Sequence, residues 1–111
     1  MKTTYNARGF CLGNYWGGGA GSYPTKNYKS DNLEGLRTMI KNAIDDGSID
    51  SGMGFESMIG AAIAITKIIT TTLTVDGKQL EFKHESTNIE YFGNLNDDQT
   101  EFLAETVMYD L

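Results

Sequence analysis

The sequence predicts an α+β domain: a small antiparallel sheet that includes a 66–84 β-hairpin, with two or three helices packed on one face. Three observations lead there. The tetrapeptide Val75-Asp76-Gly77-Lys78 sits between two stretches of alternating character, Leu33, Leu36, Ile40 and Ile44 recur at helical spacing, and Asn96 opens a second amphipathic stretch near the carboxyl end. Strands and helices are segregated along the chain, which is the α+β arrangement. With 111 residues, 40% of them hydrophobic and 22% charged, the chain suits one domain, read as 1–111, which can bury roughly 65% of its unfolded surface.

The elements follow in order. Thr3 to Trp16 mixes Tyr5, Phe10, Cys11, Leu12 and Tyr15 with Gly9 and Gly13, and reads as an irregular strand or two short ones, bulged at the glycines. The run Gly17-Gly18-Gly19-Ala20-Gly21 is too rich in glycine for a regular element and predicts a loop, closed by Pro24. Asp31 offers an N-cap with Glu34 three residues on, and the helix that follows stops at Asp45-Asp46-Gly47. Phe55, Met58, Ile59, Ala62 and Ile63 fall at helical spacing and argue for a short buried helix. A strand competes for 55–65, because the run passes without a breaker into the β-branched segment Thr66 to Val75.

Asp-Gly supplies both left-handed residues of a two-residue type I′ turn. Such a loop pairs Leu73 with Leu80, Thr71 with Phe82 and Ile69 with His84 on one face, and Thr74 with Gln79, Thr72 with Glu81 and Thr70 with Lys83 on the other. One face is apolar and the other polar, so turn chemistry and side-chain parity agree on the register. That phase breaks at Ser86-Thr87-Asn88, so Ile89, Tyr91 and Phe92 continue after a bulge or form a further short strand. Asn96 caps the terminal helix, with Asp97 and Asp98 in its first turn and Phe102, Leu103, Thr106 and Val107 as its inner stripe.

Charge and composition exclude several function classes. The longest aliphatic run, Met58 to Ile65, falls far short of the roughly 20 residues that cross a bilayer, and the amino terminus carries no secretory pattern. A cytoplasmic location with no membrane partner is expected. The net charge is −6, and it is unevenly spread: residues 1–44 are basic on balance, 45–111 strongly acidic, and no Lys or Arg follows Lys83. Such a chain does not bind phosphate backbones through its net charge, so no direct nucleic-acid partner is expected.

Catalytic and metal-binding groups are scarce. Cys11 and His84 are the only cysteine and histidine. A Cys–His dyad is the one conceivable nucleophilic site, but both residues lie among apolar neighbours, where a buried thiol and a hydrogen-bonded structural imidazole are ordinary. A structural zinc site needs four such ligands. Asp45-Asp46-Gly47-Ser48-Ile49-Asp50 lacks the alternating oxygens of a calcium loop and reads as a solvated helix end. The glycine run matches neither a dinucleotide fingerprint nor a Walker loop. No enzyme, cofactor or metal is expected.

Two surfaces remain. Asp97, Glu101 and Glu105 recur every four residues, about 6 Å apart along one side of the terminal helix, with Asp98 and Glu90 close by. This acidic face suits a basic protein surface. Alternatively, Tyr15, Trp16, Gly18, Gly19 and Tyr23, with Arg8 and Lys26, form a Gly/aromatic loop at 15–28 able to stack a base or hold an anion as a small-ligand or nucleotide module. In its acidic 85–111 segment, small size and lack of catalytic residues, the chain resembles, in type and without a shared motif, the small inhibitor proteins of phages and mobile elements, such as anti-CRISPR and antirestriction proteins. The resemblance implies a stoichiometric binder that occupies the basic nucleic-acid-binding site of a host defence nuclease complex, in the host cytoplasm if phage-encoded. A homodimer through a sheet edge or the Met58–Ile65 segment is also compatible with the sequence.

Overall fold

The structure is a computed structural model, and it describes residues 1–110. The chain runs β1 (Lys2–Asn14), β2 (Ala20–Pro24), β3 (Tyr28–Ser30), α1 (Leu33–Asp45), β4 (Ser57–Val75), β5 (Lys78–Gly93) and α2 (Asp97–Asp110). The strands form one antiparallel sheet in the order β2-β1-β4-β5, with β3 also paired to β1 beside β2. It is α+β, as the segregated pattern predicts.

The Asp-Gly turn forms with both residues left-handed, Asp76 at φ 52° and Gly77 at φ 74°. It sets Leu73 against Leu80, Thr71 against Phe82 and Ile69 against His84. The same register then runs unbroken to Gly60–Gly93, so no bulge occurs at Ser86-Thr87-Asn88. What changes there is the face that is apolar. Leu80 and Phe82 lie on the α1 side but beyond the helix and exposed, whereas Ile89 lies on the other side, packed in the cluster under α2, with Tyr91 on that same side.

The 55–65 segment is a strand and not a helix: Ser57 onward belongs to β4, the second strand from the β5 edge. Ala61 to Ile65 are buried on both faces, and such a two-sided strand shows no alternation that would separate it from a buried helix. Ala61, Ile63 and Ile65, with Ala7, Cys11 and Phe92, pack against Leu36, Ile40, Ala43 and Ile44 of α1. Ala62 and Ala64, with Leu12, pack against Leu103 and Val107 of α2. Successive strand residues point to opposite faces, so α1 and α2 sit on opposite faces of the sheet and not together on one. Ile59 is an extra residue in β4 where the β1–β4 register shifts between Leu12 and Gly13, a bulge near the predicted glycine.

The helix ends differ in detail from expectation. Asn32, not Asp31, caps α1, its side chain accepting from the Gly35 N–H at 2.8 Å. Asn96 caps α2 reciprocally with Gln99: the Gln99 N–H donates to Asn96 Oδ1 at 2.8 Å, and the Asn96 N–H to Gln99 Oε1 at 3.0 Å. Phe102 is absent from the inner stripe and half-exposed, since it lies about 100° round the helix from Leu103 and the sheet beneath offers only the narrow Leu12–Ala62–Ala64 strip.

Pairing of β1 to β4 ends at Lys2–Thr70. Beyond that point β4 and β5 continue as a two-stranded arm for about 20 Å, and the molecule is drawn out to 64 × 25 × 21 Å. Leu73, Val75, Leu80 and Phe82 are therefore exposed, Phe82 at 53%, where the sequence places one of the hairpin's faces inward. His84 is exposed as well, and not a core imidazole. Among the described residues no helix is long and apolar enough to cross a membrane.

Candidate functional site: the outer face of the terminal helix

Leu103 and Val107, both fully buried, fix the rotation of α2 on the sheet. Every residue on the far side of the helix must then face solvent. Asp97, Asp98, Glu101 and Glu105 are all exposed there. Asp97 and Asp98 occupy the first turn, where carboxylates meet the positive end of the helix dipole. Among the described residues the ion pairs are Arg8–Asp110, Arg37–Glu34 and Arg37–Glu90, so none of these four carboxylates is neutralised by a side-chain cation. The four form one outward acidic row.

Apolar groups share that surface. Phe102, Met108 and Tyr109 are exposed, Tyr109 at 94%, and Glu105, Met108 and Tyr109 line a shallow depression of about 250 Å³. Helical spacing places Phe102 on the inner stripe; the rotation set by Leu103 and Val107 turns it outward instead and gives the surface this mixed character. An exposed Phe, Tyr and Met on one helix face next to carboxylates has the composition of a protein-recognition surface, where aromatic anchors carry affinity and charges set approach.

Glu90 does not belong to this face. It lies on the α1 side of the sheet, where both its oxygens accept from Arg37, Nε to Oε1 and Nη2 to Oε2, each at 2.8 Å, while Arg37 also bonds Glu34 of its own helix. This two-pronged pair holds the Arg37 guanidinium protonated and ties α1 to β5. Arg8 lies on the α2 face, its Nη1 3.8 Å from Asp110 Oδ2, where it complements the negative end of the α2 dipole.

The Gly/aromatic loop is not assembled as a pocket. Gly17, Gly18 and Gly19 all have positive φ and open space around them. Tyr15 stacks obliquely on Phe55 with ring centroids 5.4 Å apart, and Tyr23 packs into the α1 core. Trp16, 75% exposed, donates its indole N–H to the Gly54 carbonyl at 3.0 Å. Arg8 points to the opposite face of the sheet from Tyr23, and Lys26 is exposed beyond β2. The seven residues do not converge on one space.

Cys11 and His84 do not meet. Cys11 is opposite Ala61 and His84 opposite Ile69, about 26 Å apart along β4. Burial, together with the Asp50 charge, pushes the Cys11 thiol up to about 11, and its Sγ–H donates to the Tyr23 carbonyl at 3.2 Å. It is a packing residue without available thiolate.

Asp50 was hidden in the sequence. It is not part of a solvated helix end: its buried carboxylate accepts from the Gly52, Met53 and Gly54 N–H groups at 2.8, 2.7 and 2.6 Å, and its backbone forms an isolated antiparallel β-bridge with Thr25. Burial raises its pKa, but these three donors and Lys26 outweigh burial and hold it below the ordinary carboxylate value. The signal available was its position four residues before Gly54 in a glycine-spaced turn. Among the described residues no cluster of His, Cys, Asp and Glu could hold a metal ion. Compared with protein-family models, curated proteins and solved structures, the chain has no significant match to any.

Proposed function

We propose that this chain is a non-enzymatic protein-binding inhibitor that uses the outer face of α2 to occupy a basic nucleic-acid-binding surface of a host defence nuclease complex, acting in the cytoplasm. The observation that carries the reading is the unneutralised row Asp97, Asp98, Glu101 and Glu105 beside exposed Phe102, Met108 and Tyr109. The phosphates of one DNA strand advance about 3.4 Å each along the helix axis, and a groove that holds DNA meets some of them with Lys and Arg. Carboxylates about 6 Å apart along a helix satisfy a subset of those cations. The aromatic and thioether groups then supply the dry contact that sets affinity.

The test is competition. Labelled target DNA bound to an RNA-guided or restriction nuclease complex is followed by fluorescence anisotropy while this protein is added. Release of DNA is expected, weakening steeply as salt rises because the encounter is electrostatically steered. The triple variant Asp98→Lys, Glu101→Lys, Glu105→Lys should release none while its far-UV spectrum is unchanged. Equal release by that variant contradicts the acidic-face reading.

A further inference from the structure

The edge of β5 is long and open, guarded only by charged side chains such as Lys78, Glu81, Lys83 and Glu85. β5 ends the sheet, is sixteen residues long, and contains neither proline nor bulge. Natural edges are normally shortened, bulged or covered. In a two-residue hairpin the residues flanking the loop, Val75 and Lys78, exchange both backbone hydrogen bonds, and alternation follows from there. Lys78, Leu80, Phe82 and His84 therefore bond to β4. Gln79, Glu81, Lys83 and Glu85 turn their N–H and C=O groups to the open side.

We infer that this edge pairs with a second copy of the same chain, two β5 strands lying antiparallel about a two-fold axis at Phe82. The axis stands normal to the sheet, so each face continues into the same face of the partner and only registers centred on a residue are allowed. A centre at Glu81 or Lys83 sets a charged residue against its own copy. A centre at Leu80 leaves Glu81 opposite Gln79 and Lys83 opposite the turn. A centre at His84 opposes Phe82 to Ser86 and Leu80 to Asn88. At Phe82 the chemistry agrees on both faces: Glu81 opposes Lys83 twice, Phe82 meets Phe82 and Leu80 meets His84. Neither Glu81 nor Lys83 has an ion-pair partner within the described residues of its own chain.

The apolar face of the arm supports the same occupant. Leu80 and Phe82 are half-exposed with Leu73 and Val75 beside them, on a two-stranded ribbon that is marginal in water by itself. Pairing turns the ribbon into four strands and shields Phe82 at the axis, where the close, non-hydrogen-bonded position brings Cα atoms to about 4.5 Å. The α2 faces lie off this edge and are not consumed, so the association is independent of partner binding.

Light scattering on a gel-filtration column tests this with four variants. The wild type should elute with twice the 12.2 kDa chain mass, and Glu81→Lys and Lys83→Glu should each be monomeric. The double variant Glu81→Lys/Lys83→Glu should regain the dimer, and an equimolar mix of the two single variants should form a heterodimer. Glu85→Lys, which faces Gln79, should remain dimeric. A wild type monomeric up to its solubility limit, a dimeric Glu81→Lys, or a double variant that stays monomeric with an unchanged far-UV spectrum overturns the inference.

Discussion

Replacing Leu103 with Ala tests how α2 is set on the sheet, and with it which side chains face outward. Leu103 is fully buried against Leu12, Ala62 and Ala64. The substitution deletes three carbons, about 2.4 kcal/mol at roughly 0.8 kcal/mol each. The small alanines beneath cannot expand into the space, so a cavity contribution brings the loss to about 3 kcal/mol. That corresponds to a hundredfold or greater fall in the folding constant, about 1.4 kcal/mol per factor of ten. Urea unfolding followed by far-UV circular dichroism should show the midpoint falling at constant slope. Phe102→Ala, one position away and half-exposed, should change stability by no more than about 0.5 kcal/mol. If the two variants cost the same, or if Phe102→Ala costs more, α2 is rotated from the position described, and its carboxylates are not the outward row.

Gly9→Ala should cost about 3 kcal/mol or more, because a methyl there collides with the backbone carbonyl of Ala62 in the neighbouring strand, which cannot move aside; a melt within a degree or two of wild type refutes that packing. Asp50 has a lowered folded pKa. Its contribution is therefore present above the unfolded carboxylate value of about 3.9 and is lost as pH falls through the folded value. Asp50→Asn should be less stable at neutral pH and should flatten the stability–pH curve below about pH 4, which acid titration of urea midpoints measures. Cys11 should react with a thiol reagent only as fast as the protein opens, and rapid stoichiometric labelling in native buffer contradicts its burial.

The parts of the fold legible in the sequence were those where two local signals coincide. The Asp76-Gly77 turn and the alternation around it fix the β4–β5 register, and Asn96 followed by Asp97 and Asp98 marks the start of α2. Ala61 to Ile65 were not legible as strand, because burial by α1 on one face and α2 on the other removes the alternation that identifies strands. The same two-sided cover explains why helices expected together are on opposite faces. Three members of the acidic row, Asp97, Glu101 and Glu105, could be read from four-residue spacing, with Asp98 beside them in the first turn. Glu90 could not be excluded from it, since its partner Arg37 is 53 positions away. The exposed aromatics needed the rotation of α2, which two buried residues decide.

The proposed role of α2 requires that a basic partner touch this protein there. Amide chemical shifts should be followed while the DNA-binding domain of a candidate nuclease is titrated into isotope-labelled chain. Residues 97–109 are expected to shift or broaden, with 15–28 and the 76–77 turn undisturbed. Perturbations concentrated at Tyr15 to Lys26 with a silent α2 contradict it.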